Sequence, residues 1–126
     1  MSIIWKRSLF VTPEYAANMD YEYKCSLAKT GDADHEASSI RLRAARSAIG
    51  FSQEQLGVAG GVKKTAIANA EQGRAFPGRD VLIYLYREHR IDLNFMINGD
   101  FVQLPGDVQD RLFAALEVLS NGADRK

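Results

Sequence analysis

The sequence holds one cysteine, Cys25, so no disulfide can close within the chain, and the expected setting is a reduced cytoplasm. No hydrophobic run reaches the roughly 18 residues of a membrane span. The opening stretch SIIWKRSLF is too short and too interrupted by charge to be expected as a signal peptide. Metal and catalytic signatures are equally scarce. Cys25, His35 and His89 lack ligand spacing, and His35-Glu36 begins like a zinc-protease motif but has Ser39 where the second histidine is required. Gly60-Gly61 lies between two helical patterns, not between a strand and a helix, so it is no phosphate cradle. No residue set for catalysis remains, and the expectation is a protein that is not an enzyme and uses no cofactor or metal.

Net charge is also absent, with 16 basic residues against 16 acidic ones, so only its distribution can point to a partner. Residues 1–38 carry four cations and six acids, and residues 80–126 carry five and eight. Residues 39–79 reverse the balance: Arg41, Arg43, Arg46, Lys63, Lys64, Arg74 and Arg79 face only Glu54 and Glu71. A positive segment in a neutral chain is the footprint of a surface that meets phosphates. At 126 residues the chain has room for one modest core.

The patterning is mostly helical. Thr12-Pro13-Glu14 reads as an N-cap with proline at the first helical position, predicting a short helix to about Met19. Tyr21, Tyr23, Cys25 and Leu27 alternate with polar residues, which predicts a strand, and Lys29 to Asp34 reads as linker. Residues 1–37 are therefore expected to be an N-terminal arm or small attachment. From Ser38 or Ser39 as cap, Ile40, Leu42, Ala45, Ala48 and Ile49 form an apolar side that ends at Gly50. Ser52 and Gln55 form an S-x-x-Q capping box for a helix to about Ala59, and Gly60-Gly61 ends it. The next helix runs from Lys63 to Gln72, with Ala66, Ile67 and Ala70 inward and Lys64, Thr65, Ala68 and Asn69 outward. Val81, Leu82, Leu85 and Tyr86 mark a fourth helix, and Asp92 caps a fifth from Leu93 to Ile97 before Asn98-Gly99. After Pro105-Gly106-Asp107, a last helix carries Val108, Leu112, Ala115 and Leu119, broadened by Phe113 and Leu116. It is too short to stand alone, so it either folds back on its own domain or forms a dimer contact.

The ordered set Leu42-Arg43-x-x-Arg46-x-x-x-Gly50-x-Ser52-Gln53-x-x-Leu56, Gly61-Val62, Ile67, Glu71, Gly73, Pro77 and Ile91 to Gly99 resembles the phage-repressor and Cro type of helix-turn-helix, the XRE-like family. The resemblance covers about residues 38–100. It implies an all-α fold, a five-helix lambda-repressor-like domain with the N-terminal arm before it and an additional C-terminal helix in residues 101–126. The implied function is transcription regulation, as a cytoplasmic, DNA-binding, dimeric repressor with an inverted-repeat operator as partner and no membrane. The Lys63–Gln72 helix would enter the major groove, placing Lys64, Thr65, Ala68 and Asn69 at base edges. Ser52, Gln53, Lys63, Arg74 and Arg79 would meet phosphates, and Arg46 with Glu71 would form a structural ion pair.

Lysines at a helix start oppose the macrodipole by about 0.3–1 kcal/mol each, so Lys63 and Lys64 look retained for a purpose other than stability. Three positions depart from the family pattern: Ala70 is small, Gly57 stands where alanine is common, and Lys63 replaces a capping hydroxyl. They suggest a looser anchor for the recognition helix, compensated by Phe51 or the N-terminal arm. The rival expectation is a protein-interaction adaptor on the same fold, which has little need for donors at Lys63, Lys64, Thr65 and Asn69.

Overall fold

Short oxygen-bearing side chains start most of the helices. The computed structural model describes residues 12–123, where α1 spans Pro13–Ala16, α2 Tyr21–Ala28, α3 His35–Ala48 and α4 Gln53–Gly60. They are followed by α5 at Lys64–Glu71, α6 at Arg79–His89, α7 at Leu93–Asn98 and α8 at Gly106–Ala123. Among the described residues all regular structure is helical. Thr12 Oγ1 accepts from the Tyr15 N–H, and Asp20, Asp34 and Asp92 accept from the N–H groups of Tyr23, Ala37 and Phe95 at 2.8–2.9 Å. Each bond satisfies one donor that the helix start leaves open.

The strand predicted at Tyr21 to Leu27 is instead α2. Asp20 caps it, and a lone strand there would have had no neighbour to satisfy its backbone. Helical spacing also uses the aromatic residues better than alternation does. Tyr21 sets its ring 5.5 Å from that of Phe101, Lys24 lies over Phe113 at 5.0 Å, and Tyr23 donates its hydroxyl to the buried Glu117 of α8. The third helix likewise starts earlier than expected. Asp34 caps it, and Ser38 and Ser39 are buried inside it, their place as caps taken by a residue one turn upstream.

Lys29 to Asp34, read as linker, is clamped to the body. Thr30 Oγ1 donates to the Gly99 carbonyl at 2.7 Å and the Gly31 N–H to the Asn98 carbonyl at 2.9 Å. Arg41, fully buried in α3, adds the strongest tie. Its guanidinium donates to the carbonyls of Ala28 (2.8 Å), Ile97 (2.9 Å), Lys29 (2.6 Å) and Asp32 (2.6 Å). One rigid fork of donors thus caps the C-terminal ends of α2 and α7, where the helix dipoles favour a cation. Burial lowers the Arg41 pKa, and the charges of Asp32, Asp34 and Asp100 oppose that shift.

Helix α3 is the spine: α2, α5, α7 and α8 all pack on it. Val108, Leu112, Phe113 and Leu116 of α8 are buried in the same cluster as Leu42, Ala44 and Ala45 of α3, and α1 and α2 cover α8 from outside. The C-terminal helix therefore folds back on its own chain: Val108, Leu112, Phe113 and Leu116 of the stripe considered for a dimer contact are buried internally, whereas Ala115 and Leu119 stay partly exposed. The described part of residues 1–37 is packed structure; the rest of that segment lies outside the described residues.

Candidate functional site

Helices α4 and α5 meet at a tight turn. Ser52 Oγ accepts from the Gln55 N–H at 3.0 Å while Gln55 Oε1 accepts from the Ser52 N–H at 2.8 Å, closing the predicted capping box. At the other end the Val62 N–H donates to the Gly57 carbonyl at 2.8 Å, folding the turn back on α4. A Cβ on residue 57 would lie only 2.8 Å from the Val62 carbonyl oxygen. Glycine at this position is what lets the chain approach so closely.

Helix α5 has an inner face and a bare outer one. Ile67, Ala70 and Glu71, at i, i+3 and i+4, are buried, whereas Ala66, expected inward, falls outside that stripe and is exposed. The helix is one residue shorter at each end than predicted: Lys63 is its N-cap and Gln72 its C-cap. A lysine side chain carries donors only, so Lys63 makes no capping bond. No acid occupies the first turn. Lys63, Lys64, Thr65 and Asn69 are exposed and Ala68 is half-buried. Among the described residues the side chains of Lys63, Lys64, Thr65 and Asn69 make no hydrogen bond or ion pair.

The C-terminal end of α5 is held firmly. Arg46 donates from Nε to Glu71 Oε2 at 2.5 Å and from Nη2 to Oε1 at 3.0 Å, and from Nη1 to the Phe51 carbonyl at 2.9 Å. The Glu71 side chain is 4% exposed and that of Arg46 21%. Gln53 joins them, donating from Nε2 to Glu71 Oε1 at 3.0 Å. This amide, expected to face a phosphate, gives one N–H to Glu71 while the residue stays half-buried, and the exposed Ser52 stands beside it at the start of α4, whose first N–H groups are free of intrahelical partners. The supposed looseness of the anchor at Ala70 is thus offset by a third partner on the buried carboxylate.

Arg74 follows α5 in an exposed loop, its N–H donating to the Asn69 carbonyl at 3.0 Å. Arg79, expected in that loop, is the first residue of α6; its side chain is 83% exposed and 3.4 Å from Asp80. Such an exposed pair contributes little. Lys63, Lys64, Arg74 and Arg79 are all exposed. The histidines pack on aromatic rings: His35 lies 4.1 Å from Phe76, and His89 lies 5.7 Å from Phe51 and 5.2 Å from Tyr84. Among the described residues no group of three or more His, Cys, Asp or Glu could hold a metal ion, and no helix is long and apolar enough to cross a membrane. The buried Arg41 was missed as a structural residue because its four partners are carbonyls, which leave no trace in side-chain patterning.

No protein-family model, curated protein or solved structure matches the chain.

Proposed function

We propose that this protein is a sequence-specific DNA-binding transcriptional regulator of the phage-repressor type, a repressor that acts as a homodimer with α5 in the major groove. The observation that carries the reading is the division of labour along α5. Its inner face and C-terminal end are locked by Ile67, Ala70 and the Arg46–Glu71–Gln53 cluster, while Lys64, Thr65 and Asn69 are exposed and, among the described residues, make no side-chain hydrogen bond or ion pair. Unpaired donors on a rigid helix suit base edges: lysine reaches guanine O6 and N7, asparagine pairs with adenine, and the threonine methyl meets that of thymine. Lys63, Arg74 and Arg79, with the start of α4 at Ser52, supply the phosphate contacts that set register. A dimer places two such helices about 34 Å apart and reads an inverted repeat.

Selection of bound sites from random DNA, followed by affinity measurements across salt concentrations, tests this. Enrichment of a short inverted repeat bound with a steep salt dependence is expected. Weak binding of equal strength to every sequence would favour the adaptor reading instead.

A further inference from the structure

A cleft of about 800 Å³ opens on the flank of the molecule, between α2, α3 and α8. Its volume falls in the range of small-molecule sites, roughly 300–1,000 Å³. Leu27, Ile40, Leu116 and Leu119 give it an apolar lining, and Ser26, Ser39 and Ser120 add hydroxyls. Five charged groups line it. Arg46 and Glu71 neutralise each other, leaving Lys29, Arg43 and Glu36, which form no ion pair among the described residues. The cleft thus carries a surplus of one positive charge beside an apolar wall. Two of its walls, α2 and α8, lie outside residues 38–100, and the cleft meets the α4–α5 pair only through Gln53, Glu71 and Gln72, not through Lys63, Lys64, Thr65 or Asn69.

We propose that this cleft binds a small monocarboxylic acid with an apolar body. The carboxylate sits on the Arg43 guanidinium, whose planar fork donates to both its oxygens, with Lys29 adding a second cation. The hydrocarbon part covers Ile40 and Leu119, which are half-buried, over the buried Leu27 and Leu116. Glu36 selects against a second negative charge, which favours monoacids over diacids and free phosphate. At one end the cleft reaches Gln53, Glu71 and Gln72, the residues that hold and terminate α5. An occupant there biases the seating of α5 and so changes DNA affinity; that last step alone rests on the proposed function.

The test is an NMR titration of the full chain with decanoate, 4-phenylbutyrate and 2-naphthoate, using 4-phenylbutanol and inorganic phosphate as controls. Saturable amide shifts at Leu27, Ile40, Leu116 and Leu119 are expected with at least one carboxylate. Affinity should fall about tenfold in Arg43→Gln, the loss of one charge-assisted contact. Arg43 is exposed and unpaired among the described residues, so an unchanged thermal melt should show that this variant folds. Absence of saturable shifts with all three acids overturns the site, as do equal affinity in Arg43→Gln or equally tight binding of the alcohol or phosphate. DNA affinity measured with and without saturating acid decides the coupling, which an unchanged affinity overturns. Saturable shifts in a protein that binds no DNA sink the regulator reading and leave the cleft standing; DNA binding without shifts does the reverse.

Discussion

Gly99 lies so close to Arg41 that a Cβ on residue 99 would sit 2.8 Å from the Arg41 Nη2 and 2.7 Å from the Ala28 carbonyl oxygen. The residue also has φ +76°, a left-handed conformation that an L side chain adopts at a cost of about 1–2 kcal/mol. Gly99→Ala should therefore destabilise the fold by more than that strain alone, because the guanidinium must shift off its carbonyls. Arg41→Met removes the guanidinium from four carbonyls, of which only that of Lys29 keeps another donor among the described residues, the Asp32 N–H, and should cost about 3–5 kcal/mol in urea denaturation. An Arg41→Met variant within about 1 kcal/mol of the parent would refute this account of α2 and α7.

Glu71 is expected to matter for folding before it matters for recognition. Glu71→Ala leaves the Arg46 guanidinium and the Gln53 amide without their acceptor, at a cost of about 3–5 kcal/mol. Glu71→Gln keeps an acceptor and should lose less. A Glu71→Ala protein that melts like the parent would sink the prediction.

The two classes of candidate DNA contact should separate in a binding assay. Lys64→Ala and Asn69→Ala should each relax preference at one base position by about 1–3 kcal/mol. Arg74→Ala should weaken binding to all sequences alike and reduce the salt slope by about one. Identical effects of the two classes on selected and random DNA would contradict the assignment.

Helix α8 is part of the core, so removing it should unfold the chain, not merely release a partner. Leu112→Ala, at a fully buried site, should cost about 2–5 kcal/mol. Truncation after Gly106 strips the cover from α3 and should abolish the cooperative melt. A truncated chain that still melted cooperatively near the parent temperature would show that α8 is dispensable.

His89 should make stability depend on pH. Partial burial lowers its pKa, Arg111 adds to the effect and Glu88 opposes it. Because the unfolded chain binds the proton more readily, stability is fully present above the unfolded pKa of about 6.5 and falls as pH drops below it. His89→Gln should flatten this part of the profile in melts compared near pH 8 and pH 5. An unchanged profile would place the dependence elsewhere.

The sequence by itself determined the features whose signals are local. The Ser52–Gln55 box, the Asp92 cap, the glycine at 99 and the Ile67–Ala70 stripe each act within a turn or two of chain, and each is legible there. The outward placement of Lys64, Thr65 and Asn69 is legible for the same reason. Tertiary structure decided the rest. Tyr21 to Leu27 alternates like a strand, yet α2 forms because Tyr23 and Lys24 find Glu117 and Phe113 on α8, with 94 residues separating Tyr23 from Glu117. Arg41 became the clasp of α2 and α7 through backbone carbonyls, and Gln53 came to donate to Glu71, 18 residues away. Such contacts are chosen by which groups burial brings together unsatisfied, and no periodicity in the chain encodes that.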